Sequence, residues 1–267
     1  RFINVRTCLL PPCLVSSPNI QTASPLSHID QYLILDNDET PMSSRIYLAQ
    51  HYVFSIHQHL EKPLPSAQLC FGEYAYFHYN QSSINDVGWG CAYRSLQTLC
   101  SWFILQNIAS TASVPNHREI QQILVRLGDK PSKMIGSRQW IGAYEVSLCL
   151  QHLFSIESKI IYVRKGNQVV QHLNTLQDHF QQQGTPVMIG GGVLAWTLLG
   201  VDVKQAKVLI LDPHCTQKNP ENPLDEEVTT NAYIEAVLKK KYCAWHDLSI
   251  FKTNAYYNFC LPQLPIK

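Results

Sequence analysis

The chain has 267 residues, 45% of them hydrophobic and only 15% charged, enough for one large domain or a domain with an appendage and a sizeable core. Lys plus Arg number 21 against 20 for Asp plus Glu, a net charge of +1, so no broad field draws nucleic acid or an anionic membrane, and no nucleic-acid partner is expected. The longest apolar stretch, Pro186 to Val201, falls short of a bilayer span and carries four glycines, which predicts no transmembrane segment.

Seven of the fifteen prolines lie within the first 66 residues, whereas all twelve glycines lie at or after Gly72. This shift places a boundary there: 1–66 reads as a loop-rich lead-in or the remnant of an upstream domain, and 67–267 as the main domain. Short strands are expected in the lead-in at Tyr32 to Leu35 and Ile46 to Val53. The run RFINVRTCLLPPCLV at the start is broken by Pro11 and Pro12, which argues against a signal peptide.

Beyond the boundary, GEYAYFHYN reads as extended chain. Cys91 to Gln106 reads as a helix, with Leu96, Leu99, Cys100 and Phe103 on one face. Asn116 and Glu119 have capping-box spacing and open a second helix that ends near Gly128. A third is expected over Trp140 to Leu153, then a strand in SKIIYVR and a helix ended by Gly184. TPVMIG, VLAWTLLGV and AKVLILD follow as strands. Helices first and a sheet-rich half second fit an α+β domain with a helix packed on a mainly antiparallel sheet, although the pattern gives strands without their directions.

Nine cysteines, an odd number without a dense framework, favour a reducing compartment. With neither a CxxC pair nor an HExxH stretch, no metal or other cofactor is expected. One cysteine stands apart. Cys91 sits where the Gly88-Trp89-Gly90 turn meets the first turn of a helix, and unpaired amides and the helix dipole there favour a thiolate. The dipole is worth only about 0.3–1 kcal/mol at an exposed site, so a base is also required. VLILDPH supplies one: in extended chain Asp212 and His214 project to one face about 7 Å apart at the backbone. The arrangement predicts Cys91 as nucleophile, His214 as general base and then acid, and Asp212 as its orienter. Spacing does not itself join Cys91 to His214, so the residues alone leave a thiol-dependent hydrolase beside a buried structural cysteine.

Longer motifs are more specific. YFHYNQ, DVGWGCAYRSLQT, PNHREIQQILV, GDKP, GSRQWIG, GTPVMIGGG, LILDPH and a terminal CLPQ, from about Gly72 to Pro262, resemble the cysteine proteases specific for ubiquitin-fold modifier 1. The resemblance implies a papain-like architecture with the triad in the order Cys, Asp, His, matching Cys91, Asp212 and His214. It also implies an oxyanion-hole tyrosine at Tyr79. The implied reactions are trimming of the modifier precursor's C-terminus and release of the modifier from conjugated lysines through a Cys91 thioester. The modifier, as precursor and conjugate, is the implied partner. Gln139, Trp140, Gly190, Gly191 and Gly192 are the expected substrate-proximal residues, since glycine admits a close backbone and an aromatic can wall a groove. A cytoplasmic location follows, with endoplasmic-reticulum association through an adaptor that engages an upstream region. The chain departs from the family's Tyr-Thr-Gly after DPH, carrying Cys215, Thr216 and Gln217 instead. An autophagin-like protease for autophagy-related modifiers shares GWGC and DPH, and an inactive modifier-binding module would keep the groove without turnover.

Overall fold

The computed structural model describes residues 41–61, 64–108, 113–218 and 227–265, all within the compact unit Glu39–Lys267. The expected strand at Tyr32 to Leu35 lies outside the described residues. Six helices are seen among them: α1 (Pro41–His51), α2 (Cys91–Leu105), α3 (His117–Arg126), α4 (Ala143–Phe154), α5 (Leu173–Gln182) and α6 (Glu227–Lys239). The strands are β1 (Gln68–Leu69), β2 (Ser158–Val163), β3 (Val187–Gly191), β4 (Leu194–Asp202), β5 (Lys207–Leu211), β6 (Cys243–Asp247) and β7 (Tyr257–Pro262). They form one sheet ordered β2-β7-β3-β4-β5-β6, with β1 added beside β4, and every pairing is antiparallel. The α+β expectation, a nucleophile-bearing helix on a mainly antiparallel sheet, is met.

Helix α2 is the spine of the unit. Every residue after Cys91 is buried, as expected for a helix enclosed on all sides, and it lies across β3 and β4. Its buried polar side chains find partners that dock neighbouring chain. Ser95 Oγ meets Thr197 Oγ1 of β4 at 2.7 Å. On the other side Ser101 Oγ and Thr98 Oγ1 accept the amides of Ala75 and Phe77 at 2.9 and 3.2 Å. The second edge of that segment is met by residues 53–55, where Tyr76 N–H donates to the Val53 carbonyl and Ser55 N–H to the Tyr74 carbonyl, each at 2.9 Å. GEYAYFHYN is therefore extended, as expected, but it is clamped between a helix and a loop rather than laid in the sheet.

The expected strand at Ile46 to Val53 is instead largely the C-terminal part of α1, which buries Leu48 and is followed by buried Tyr52, Val53 and Ile56. Ile46 and Tyr47 face outward on this helix, about half exposed. The compositional change near residue 66 falls inside the compact unit. The third helix starts at Ala143 rather than Trp140, because the Glu145 carboxylate caps the Gly142 amide at 2.9 Å. Residues Trp140 to Gly142 stay non-helical as a result. The helix expected before Gly184 divides into a 3-10 segment, Gly166–His172, and α5. Gly200 is required where β1 approaches β4: a Cβ there would lie 2.7 Å from the Gln68 carbonyl oxygen.

Candidate active site

Strand β5 ends at Leu211, and the chain turns at once. Asp212 N–H still donates to the Tyr242 carbonyl at 2.6 Å, but Oδ1 of Asp212 accepts both the His214 amide at 2.9 Å and the His214 Nδ1–H at 2.5 Å. The two side chains thus meet through an Asx-type turn over Pro213, not across extended chain as the sequence suggested. With Nδ1 occupied by the carboxylate, Nε2 is the nitrogen left to face Cys91, whose side chain interacts with the imidazole. Burial depresses the imidazole's pKa, but the bonds to Asp212 and Cys91 outweigh it and raise the pKa to about 9. The imidazolium is the favoured form beside this sulfur at neutral pH.

Cys91 is the first residue of α2, where the opening amides lack intrahelical partners. Tyr79 approaches from the clamped segment. Its hydroxyl interacts with the Cys91 side chain and the Gly88 amide, while its ring stands edge-on to His214 at 5.3 Å between centroids. Burial first, and then the neighbouring sulfur, push the phenol well above its usual range, so it keeps its proton and remains a donor. The structure thus brings together Cys91, Asp212, His214 and Tyr79.

The loop between Tyr79 and Cys91 contains three non-glycine residues in the left-handed region, Asn80, Ser82 and Ser83 at φ of 63°, 55° and 57°. Sequence reasoning missed what holds it. Asp86, fully buried, accepts the Asn80 amide at 2.8 Å, the Arg94 Nε–H at 2.6 Å and His117 Nε2 at 3.0 Å. Arg94, equally buried, returns to the Gln81 carbonyl at 2.7 Å. Burial disfavours the Asp86 carboxylate, but His117 and Arg94 outweigh it and hold its pKa low. At Gly90 a Cβ would sit 2.5 Å from the Asp86 side chain, so glycine is what lets this carboxylate lie under the nucleophile's turn. The sequence signal was there, an Asp and an Arg flanking Gly-Trp-Gly-Cys, but an eight-residue separation spanning a turn matches no periodic template.

A groove of about 120 Å³ runs from Cys91. Trp89, Trp140, Ile141, Gly190, Gly191, Gly192, Val193, Tyr256 and Asn258 are among its lining residues. Of the expected substrate-proximal residues, Trp140 and the three glycines are therefore beside Cys91. Gln139 is not among them; it is exposed, and its carbonyl accepts the Tyr93 hydroxyl at 2.7 Å. Gly191 is forced by packing, since a Cβ would lie 2.2 Å from the Tyr256 carbonyl oxygen, and Gly192 turns β3 into β4 at φ 58°. Val193 went unread as a groove residue because the sequence makes it the first residue of a strand, whereas it lies in the turn before β4, and Tyr256 because it sits in irregular chain just before β7. The thiol of Cys215, beside His214, is buried and pushed up to about 11, chiefly by burial. All seven described cysteines are free, and no cluster of three or more metal-binding side chains occurs among the described residues.

Residues 65–260 match Peptidase family C78. The chain is 47% identical over 221 residues to Ufm1-specific protease 2 of Gallus gallus, covering 80% of this chain and 45% of that protein. It is 46% identical to Ufm1-specific protease 2 of Homo sapiens over the same length, 80% and 44% of the two chains. A crystal structure of UfSP from C. elegans superposes with a TM-score of 0.67 at 40% identity, covering 80% of this chain and 38% of that one. The chain spans less than half the length of these two curated relatives.

Proposed function

The chain belongs to Peptidase family C78, and from that premise we propose that it is a thiol-dependent hydrolase for ubiquitin-fold modifier 1. It trims the precursor's C-terminal extension and cleaves the isopeptide bond between the modifier's last glycine and substrate lysines. One observation carries this reading: Tyr79 and the Asp212–His214 pair gather around Cys91, which lines a groove walled by Gly190, Gly191 and Gly192. Residues 67–267 act as the catalytic domain, with residues 41–61 packed onto it. The family match also favours this reading over the autophagin-like one.

In the proposed reaction a glycine tail lies along Gly190 to Gly192 beside Trp140. Cys91 Sγ attacks the terminal glycine carbonyl. The oxyanion forms within reach of the Tyr79 O–H and the Cys91 N–H, two donors already oriented before the charge develops. Imidazolium Nε2–H of His214 then protonates the leaving amine, leaving a thioester on Cys91 and a neutral imidazole. That imidazole takes a proton from water, which attacks the thioester; the thiolate leaves and the imidazolium is restored. Asp212 holds the ring so that Nε2 keeps facing the sulfur.

The test is turnover of a C-terminally extended modifier and of a lysine-linked conjugate. Cys91→Ser and His214→Ala are expected to abolish both, and Tyr79→Phe to slow both by about 10²- to 10³-fold with modifier binding retained. Wild-type protein that binds the modifier but cleaves neither substrate would support the inactive-binder reading instead. A cytoplasmic site with endoplasmic-reticulum association through an upstream region is the location we propose. The free thiols are consistent with a reducing compartment, and cell fractionation checks it.

A further inference from the structure

His78 has no exposed surface, and its imidazole lies directly behind the proposed site. Nδ1 is 2.9 Å from the Tyr79 carbonyl oxygen and 3.0 Å from that of Cys215. Both partners only accept, so Nδ1 carries the hydrogen and shares it between them. Nε2 is then the acceptor, and the Tyr233 hydroxyl of α6 donates to it at 2.7 Å. Hydrogen bonding fixes a single neutral tautomer, and burial, the largest influence, lowers the pKa to about 4, so the ring stays neutral across the working range. The backbone of His78 is pinned as well, its amide donating to Gln81 Oε1 at 2.8 Å.

The two carbonyls belong to the two arms of the site. Tyr79 presents the oxyanion donor, and Cys215 directly follows the base His214. A second strap joins the same arms, Tyr79 N–H to the Pro213 carbonyl at 3.0 Å, and the Tyr76 hydroxyl holds the Asp212 carbonyl at 2.6 Å. Resting on the reading of Tyr79 and His214 given above, we infer that His78 is a positioning residue whose shared Nδ1 hydrogen sets the separation of the Tyr79 hydroxyl from the His214 imidazole. A misplacement of about 1 Å at such a pair costs up to about 10²-fold in rate.

The experiment is a double-mutant cycle on cleavage of a C-terminally extended modifier, with thermal melts to verify folding. His78→Gln, whose amide reaches the Nε2 position and leaves the two carbonyls without their donor, is expected to lower kcat by up to about 10²-fold with KM unchanged. His78→Asn places an N–H where Nδ1 stood and is expected to recover most of that loss. In the His78→Gln background Tyr79→Phe is expected to cost far less than in the wild type, because a misplaced hydroxyl has little left to lose. Independent multiplication of the two effects in folded protein, or an Asn variant as slow as the Gln variant, would overturn the inference. Should His78→Gln fail to fold, Tyr233→Phe, which frees Nε2 and the tautomer, replaces it in the cycle, and the same absence of coupling counts against the inference. A harmless Tyr79→Phe in otherwise normal enzyme sinks the underlying reading of the oxyanion hole, a result distinct from uncoupled effects.

Discussion

His214 holds its proton more tightly in the folded chain than free histidine does, because burial, which opposes the charge, is outweighed by its interactions with Asp212 and Cys91. Its folded pKa lies near 9 against an ordinary 6.5. The stability this contributes is full below pH 6.5 and is lost as pH rises through about 9. The imidazolium of His214 is lost over the same upper range, so the alkaline limb of kcat/KM is expected near pH 9. Asp212→Asn removes a bond that raises the pKa, and the limb should move to lower pH along with a severe loss of rate. A pH–rate profile of both proteins checks it, and an unmoved limb would mean that another group titrates there. The sequence made the Asp212–His214 pairing legible because two polar residues close an apolar strand. It did not reveal that Pro213 would turn the chain so that one carboxylate oxygen serves both the ring and the amide. Tyr79 was legible only through a resemblance: within YFHYNQ nothing separates it from Tyr76, which is buried against the Asp212 carbonyl.

At the scale of elements, α2 was expected over Cys91 to Gln106 and is found over Cys91–Leu105, since its apolar period is strong and glycines mark its start. What escaped sequence reading is the loop before it. Asp86 and Arg94 are both without exposed side-chain surface, and they hold the strained Asn80 to Gly90 stretch against the helix. Removing the carboxylate charge leaves a buried guanidinium without compensation, so Asp86→Asn is expected to destabilise the fold by about 3–5 kcal/mol. Denaturant unfolding measures this, and a loss below about 1 kcal/mol would show that the pair is replaceable by hydrogen bonding alone. Strand β7 escaped for a different reason. It lies between β2 and β3 and buries nearly every residue, so its sequence has no alternation to read.

Across the whole unit, the site is the meeting point of four segments distant in sequence: 79–91 with the nucleophile, 212–215 with the base, and 140–142 beside 190–194 as the groove walls. Their common support includes α1 and the residues after it. Leu48, Tyr52, Val53 and Ile56 join the main core, and Val53 and Ser55 supply backbone partners to the segment that carries Tyr79. Burying each such side chain is worth about 1.5–3 kcal/mol. A chain beginning at residue 67 is therefore expected to melt well below one beginning at residue 39 and to lose turnover along with it. Equal melting temperatures would show that the segment is a passenger. No helix among the described residues is long and apolar enough to cross a membrane.

Covalent capture reads out whether Cys91 receives the glycine tail of one particular modifier. Electrophile-tailed probes made from ubiquitin-fold modifier 1, ubiquitin and an autophagy-related modifier are offered to the folded chain, and the adduct is located by mass spectrometry. Selective labelling of Cys91 by the modifier-1 probe is the predicted result. Preferential capture by either of the other probes, or an adduct on a different cysteine, would contradict the account.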